Sequence, residues 1–330
     1  MVSIKDVAQA AGVSVSTVSH VVNKTRFVSP DTMAAVQKAV DDLGYQPSYL
    51  ARALRSKRTR TLGMLVTSST NPFFAEVISG VEEGCFRAGY SLILCNCGDQ
   101  PGRQRTYLET LMQKRIDGLA VMTTSRDADF QAELESLGTL PRVVLDSAPM
   151  PHTGTIGDDS IAGGRLAAGL LVSRGHIRIG CLTGPASHPR SADRLSGFRA
   201  GLEAAGISLP QERVAVGELS AGGGYQAMQH LLAQTPAPSA VFAFNDLMAM
   251  GAYRAIAEHG LAIPRDISVI GYDDLEIASY LVPGLTTIRQ PGFGLGLEAA
   301  EILIANLETG ASLPEVIRHT PELVIRDSVR

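Results

Sequence analysis

Residues 1–60 constrain the chain most. Ile4-Lys5-Asp6-Val7-Ala8 and the run Ala11-Gly12-Val13-Ser14-Val15-Ser16-Thr17-Val18-Ser19-His20-Val21-Val22-Asn23 predict two short helices joined by a tight turn at Gly12. That layout is a helix-turn-helix, whose second helix enters the DNA major groove. Ser3 stands at a cap position with Asp6 in the third helical position, and Ser14 can cap the second helix. Val15, Val18, Val21 and Val22 recur at helical spacing and predict a buried face. Ser29-Pro30-Asp31 starts a third helix that runs through Val36 and Val40 to Leu43 and stops at Gly44. Leu50-Ala51-Arg52-Ala53-Leu54-Arg55 follows, a short basic segment in which Leu54 can wedge into a minor groove. Ser56-Lys57-Arg58-Thr59-Arg60 reads as an exposed linker. The remaining 270 residues exceed what DNA contact needs, so something else controls the binding.

Charge divides the chain in the same place. Residues 1–60 hold nine Lys/Arg against four Asp/Glu, or +5, so the rest of a chain of net charge -4 carries -9. A basic head on an acidic body fits nucleic acid as a partner of the head alone. A length of 330 residues with 45% hydrophobic composition supports two or three globular domains. No apolar run approaches the roughly 18 residues of a membrane span, and the N-terminus lacks the apolar stretch of a signal peptide. A cytoplasmic protein with no membrane partner is expected. Cys85, Cys95, Cys97 and Cys181 form no C-x-x-C pair and read as reduced structural thiols.

From Leu62 onward, short apolar strands alternate with amphipathic helices. One series has strands at Leu62–Val66, Leu92–Cys95, Leu119–Met122 and Val143–Leu145, with helices near Phe74–Arg87 and Tyr107–Lys114. A second has strands at Ile177–Leu182, Val214–Val216, Ala240–Phe244 and Ile267–Gly271, with helices at Gly164–Val172, Leu195–Ala205, Tyr225–Leu232 and Leu247–Glu258. The fold class is therefore α/β: an all-α headpiece followed by two lobes built on parallel sheets.

Ligands of open α/β sheets bind at the carboxyl ends of the strands. There the chain places Asn71-Pro72-Phe73-Phe74, Asp146, Gly184-Pro185 followed by Arg194, Asn245-Asp246, Asp273 and Gln290. Carboxylates accept hydroxyl protons, arginine and amides donate, and aromatic faces cover the C–H faces of a sugar ring, so the set suits a polyol. Phe73 and Phe74 read equally as core, Asp273 as a turn former and Asn245 as a helix cap. Asp158-Asp159 and Asp273-Asp274 read as solvated or capping acids rather than as a metal or acid/base pair.

Enzymatic and cofactor readings lack their signatures. No G-x-G-x-x-G or G-x-x-x-x-G-K-[ST] follows a strand, and no H-E-x-x-H or comparable His/Cys cluster occurs. The chain is expected to be no enzyme, with no cofactor and no metal.

The run Ile4–Asn23 and the segment Ala51-Arg52-Ala53-Leu54 resemble the lactose-repressor family of bacterial transcription regulators, and the likeness extends over the whole length. Asn71-Pro72-Phe73-Phe74, Ser91–Asn96, Glu109–Arg115, Gly271-Tyr272-Asp273-Asp274 and Leu285–Ile288 are similar to family members that control ribose use. His20 through Phe27 also match members that respond to purines.

The resemblance implies a three-helix headpiece with hinge helix over 1–60 and a core over 61–330 like periplasmic sugar-binding proteins. Its N-lobe would be about 61–160 plus 291–320, and its C-lobe about 161–290. The resemblance further implies a homodimer on a palindromic operator, released by ribose or a related pentose, with a purine corepressor or another sugar as the alternative. Ligand contacts carry over to Asn71, Phe73, Phe74, Asp146, Arg194, Asn245, Asp273 and Gln290. Asn71-Pro72 and Asn245 favour a sugar over a purine. Ser147 stands where an arginine is found in the ribose-binding protein, and Leu219 where relatives carry an aromatic. For DNA, Val15, Ser16, His20 and Arg26 match groove-facing positions, and Ser14, Thr17 and Asn23 lie nearer phosphates. Leu54, followed by Arg55, matches the intercalating leucine.

Overall fold

The structure, a computed structural model of the chain, describes residues 2–23, 26–45, 58–98, 100–122, 128–147, 149–150, 152–186 and 188–330. The hinge segment with Leu54 and Arg55 lies outside the described residues. Two compact units emerge, Met1–Thr59 and Arg60–Arg330.

The first unit holds α1 (Ile4–Ala10), α2 (Val15–Asn23) and α3 (Pro30–Leu43). The Asp6 carboxylate accepts from both the Ser3 amide and the Ser3 hydroxyl at 2.8 Å, which ties down the start of α1. The Ser14 hydroxyl oxygen accepts from the Thr17 amide at 3.1 Å and caps α2. Gly44 ends α3 at φ +60°, a conformation that glycine adopts without strain. Val7, Ala8, Val18, Val36 and Ala39 form the core, with Val21, Val22 and Val40 packed against it. Val15 departs from the expected buried stripe and is 39% exposed. A helical side chain covers the turn N-terminal to it, and the first residue of a helix has no such turn beneath it.

The second unit runs β1 (Thr61–Val66), α4 (Pro72–Ala88), β2 (Ser91–Asn96), α5 (Pro101–Gln113), β3 (Gly118–Met122), α6 (Ala128–Ser136), β4 (Arg142–Leu145) and β5 (Gly154–Asp158). It continues with α7 (Ser160–Ser173), β6 (Ile179–Thr183), α8 (Pro189–Glu203), β7 (Val214–Val216), α9 (Ala221–Leu232), β8 (Ala240–Ala243) and α10 (Asp246–Glu258). The last elements are β9 (Ser268–Asp273), α11 (Glu276–Tyr280), β10 (Thr286–Arg289), α12 (Gly292–Thr309), β11 (Ile317–His319) and β12 (Glu322–Val324).

Two sheets result, in the orders β11-β5-β4-β3-β1-β2 and β12-β10-β9-β8-β6-β7. Every neighbouring pair is parallel except β10 with β12. The inner strands are buried along their whole length, as parallel strands covered by helices on both faces must be.

The chain passes between lobes three times: from Asp158 to Ser160, from Arg289 to Gly292 and from His319 to Glu322. The final residues join the second lobe, where Val329 enters its core and the Ser328 hydroxyl donates to the Val269 carbonyl at 2.6 Å.

Close helix pairs set the strand ends. A Cβ at Gly164 of α7 would lie 2.3 Å from the Arg194 carbonyl oxygen, and one at Gly197 of α8 would lie 2.0 Å from that of Ile161. Only bare backbone lets α8 approach α7 this closely. That approach fixes where Arg190 and Arg194 project.

Candidate functional site

On the first-lobe side, Asn71 caps α4, its Oδ1 accepting from the Phe73 amide at 3.0 Å. Phe73 and Phe74 are buried in the first-lobe core with ring centroids 6.0 Å apart, and Leu275 of the second lobe joins the same cluster. A Cβ at Gly292 would lie 3.2 Å from the Phe73 ring, so the second crossing passes directly against it.

Asp146 follows β4 at φ +49°, buried. Its partner is a residue the sequence reading missed. Arg190, in the first turn of α8, places Nε 3.0 Å from Asp146 Oδ1 and donates to the backbone carbonyls of Asp146 (3.2 Å) and Ser147 (2.5 Å). The guanidinium beside Ser147 therefore comes from the other lobe. The signal was present, because Arg190 opens the helix that follows β6, where the strand-end rule applies.

On the second-lobe side, Arg194 is buried with its guanidinium carbon 3.6 Å above the Tyr272 ring, a cation–π stack. Its Nη1 donates to the Phe244 carbonyl and its Nη2 lies 3.8 Å from Asp273 Oδ1. Asp273 sits at φ +109° and accepts from Gln290 Nε2 at 2.6 Å. Asn245 caps α10 through the Met248 amide at 2.7 Å and donates to the Leu219 carbonyl at 3.2 Å, the cap role the sequence left open.

The structure thus brings Asp146, Arg190, Arg194, Asp273 and Gln290 together as a buried polar group. Asn245 adjoins it through Phe244, whose carbonyl accepts from Arg194, and Phe73 lies against Gly292, two residues after Gln290; Asn71 and Phe74 are placed as the cap of α4 and as first-lobe core.

The paired acids need a correction. Asp159 does cap α7, accepting from the Ala162 amide at 2.9 Å. Asp158 is fully buried instead of solvated, and it accepts from the Tyr272 hydroxyl and, at 2.7 Å, from that of Ser160. Asp274 is held by Arg289 and Arg326, each at 2.7 Å. Each acid lies at a lobe crossing or at the end of β9, where the chain itself supplies partners that water would supply elsewhere.

Burial dominates the electrostatics. It pushes Asp146 up to about 6 against the pull of Arg190, and Asp273 well above the usual carboxylate range against Arg194. Among the described residues, four buried side-chain atoms at this place have no hydrogen-bond partner: Arg194 Nε, Gln290 Oε1, Ser191 Oγ and Asp146 Oδ1, the last held only by its ion pair with Arg190. Buried polar atoms are almost always hydrogen-bonded, so these atoms leave donor and acceptor capacity in the group that its protein neighbours do not use.

In the first unit, Ser16 and Arg26 are exposed, Thr17 and His20 are half-buried, and Asn23 is exposed. The Ser14 hydroxyl bonds those of Ser16 (2.7 Å) and Thr17 (2.8 Å), and Asn23 Nδ2 donates to the Ser19 carbonyl at 2.8 Å. Ser14, Ser16 and Thr17 make a polar surface at the start of α2, with the apolar Val15 exposed among them.

Among the described residues, no three His, Cys, Asp or Glu gather as metal ligands, and no helix is long and apolar enough to cross a membrane. The four cysteines are free and buried, and burial pushes the Cys85 thiol up to about 11.

A family model for bacterial regulatory proteins of the lacI family matches residues 3–48, and one for a periplasmic binding protein-like domain matches residues 168–329. The chain is 45% identical over 329 residues to the ribose operon repressor of Escherichia coli, covering 99% of this chain and 100% of that protein. It is 46% identical over 331 residues to the HTH-type transcriptional repressor PurR of Photobacterium profundum, covering 100% and 99%. Among solved structures, the Lac repressor dimer bound to operator and the anti-inducer ONPF superposes with a TM-score of 0.90 at 30% identity, covering 99% of this chain and 98% of that one.

Proposed function

The chain belongs to the lacI family of bacterial regulatory proteins and is a DNA-binding transcriptional repressor, not an enzyme; we propose that its effector is ribose or a closely related pentose, which releases it from its operator. The observation that carries this is the set of buried atoms without protein partners. Arg194 Nε donates, Gln290 Oε1 accepts and Ser191 Oγ does either. A furanose or pyranose offers hydroxyls that both donate and accept on neighbouring carbons, and Asp146 and Asp273 each have carboxylate oxygens to take paired hydroxyl protons. Phe73, against the second crossing at Gly292, and Phe74 beside it would supply the apolar face. Leu219 supplies no second ring, so a planar purine would lack an aromatic partner there. The ribose operon repressor of E. coli is similar over its full length and supports the same reading.

On the DNA side, Val15, Ser16, His20 and Arg26 would face base edges, Ser14, Thr17 and Asn23 would lie nearer phosphates, Leu54 would enter the minor groove, and Arg55 beside it would contact the DNA. One helix-turn-helix reads a half-site, so the working form is a homodimer on a palindrome, in the cytoplasm where such regulators meet DNA and where thiols stay reduced.

The similarity to PurR at 46% identity favours a second reading, a purine corepressor that tightens DNA binding. Calorimetric titration of the full-length protein with ribose, other pentoses, hypoxanthine and guanine separates the two. Heat with a pentose alone supports the first, and heat with a purine alone replaces it with the second.

A further inference from the structure

We propose that Tyr272 is a positioning residue that ties the effector site to the first lobe crossing, its ring carrying the Arg194 guanidinium and its hydroxyl holding Asp158; this rests on the reading of that site as the effector site.

Asp158 is the last residue of β5, in the first-lobe sheet, and is fully buried. Both of its side-chain donors belong to the second lobe: the Tyr272 hydroxyl on β9 and, at 2.7 Å, that of Ser160 at the start of α7. A first-lobe carboxylate is therefore clamped between two second-lobe hydroxyls where the chain changes lobes. Helix α7 leaves room for this, because a Cβ at Gly163 would lie 2.3 Å from the tyrosine oxygen. Hydrogen bonds to a carboxylate in a low-dielectric interior are strong and costly to leave unmade.

The other face of the arrangement is the effector group. The Arg194 guanidinium carbon lies 3.6 Å above the same ring. The next residue, Asp273, accepts from Gln290, which lies on the second crossing. Two consecutive residues of β9 thus reach two different crossings, and Arg194 sits against both. A ligand that draws Arg194 and Asp273 toward itself shifts the ring and the carboxylate that the crossings are bonded to. Such coupling is transmitted by a contact that differs between two lobe arrangements.

The test uses full-length Tyr272→Phe, which keeps the ring under Arg194 and removes only the hydroxyl. Without effector, backbone amide exchange over residues 157–163 should be about tenfold faster than in wild type, with β6 and β8 unchanged. Operator affinity without effector should stay within about threefold of wild type, while the factor by which ribose weakens that affinity should shrink about tenfold. Asp158→Ala removes the same bond from the other side together with the Ser160 bond and should shrink the ribose factor at least as much, and adding Tyr272→Phe to it should shrink that factor no further. Asp158→Asn, which still accepts the hydroxyl, should keep the wild-type ribose factor. An unchanged ribose factor in Tyr272→Phe and Asp158→Ala overturns the proposal, as does unchanged exchange. Loss of ribose binding itself in parallel with the response also overturns it, since the tyrosine would then be a ligand contact. If wild type responds neither to ribose nor to hypoxanthine run beside it, the effector reading fails on its own, and the exchange experiment alone decides whether the tether exists.

Discussion

Nε of Arg190 lies 3.0 Å from Oδ1 of Asp146, and the two residues belong to different lobes of the core. Both are buried, and the same guanidinium holds two backbone carbonyls at the end of β4. Taking one partner from a buried ion pair leaves an uncompensated charge, at a cost of roughly 3–5 kcal/mol. Arg190→Met should therefore lower core stability by about that amount in denaturant unfolding, and adding Asp146→Asn should recover most of it. A loss under about 1 kcal/mol in the single variant, the range of exposed pairs, contradicts the assignment.

Asp246 gives a pH signature. Burial pushes its carboxyl up to about 7, although the Thr287 hydroxyl (2.6 Å) and the Leu275 amide (2.8 Å) favour the charged form. An unfolded aspartate titrates at about 3.9. Between those values the folded chain keeps a proton that the unfolded chain has lost, so this group's stabilisation is full at low pH and falls as pH rises toward 7. The slope is roughly 1.4 kcal/mol per pH unit across that window. In Asp246→Asn the group no longer titrates, so the stability advantage of wild type over the variant should shrink from pH 4 to pH 7. A difference that does not vary with pH means the carboxyl is ionised throughout.

Much of this architecture was legible because strand–helix alternation is a strong pattern. β7 spans Val214–Val216 as read, and α3 runs from Pro30 to Leu43. The elements that were missed share physical causes. β5 reads Gly154-Thr155-Ile156-Gly157-Asp158, with two glycines and no apolar run. α12 opens with Gly292, Gly294 and Gly296, which look like a loop, yet a Cβ at Gly296 would lie 2.0 Å from the Val77 carbonyl oxygen of α4. The strand-end rule located Asp146, Arg194, Asp273 and Gln290. It did not reveal Arg190 or the Tyr272–Asp158 contact, because both depend on how the two lobes meet, and local pattern carries no information about that.

Val15 separates recognition from folding. It is 39% exposed at the start of α2 and outside the headpiece core. Val15→Ala should change headpiece stability by no more than about 0.5 kcal/mol, the usual range for surface positions. The same change should alter operator affinity or base preference by about 1–3 kcal/mol, the scale of a base contact. A thermal melt paired with operator binding checks both, and a destabilised headpiece with unaltered operator preference contradicts the groove-facing role.

Asp273→Ala should remove the effector response while operator binding survives. Its carboxylate faces Arg194 at 3.8 Å and Gln290 at 2.6 Å, within the polar group of the core. Operator gel shifts with and without ribose should show a variant that stays bound. If operator binding is lost together with the response, Asp273 is a structural residue.

In the proposed function, a polyol bound among Asp146, Arg190, Arg194, Asp273 and Gln290 releases the repressor from DNA. The most direct test follows operator binding of the full-length protein by fluorescence anisotropy while ribose, and separately hypoxanthine, is titrated in. Ribose should weaken operator binding saturably, and hypoxanthine should leave it unchanged. Tightening by hypoxanthine with no effect of ribose contradicts it and makes the chain a purine-recruited repressor.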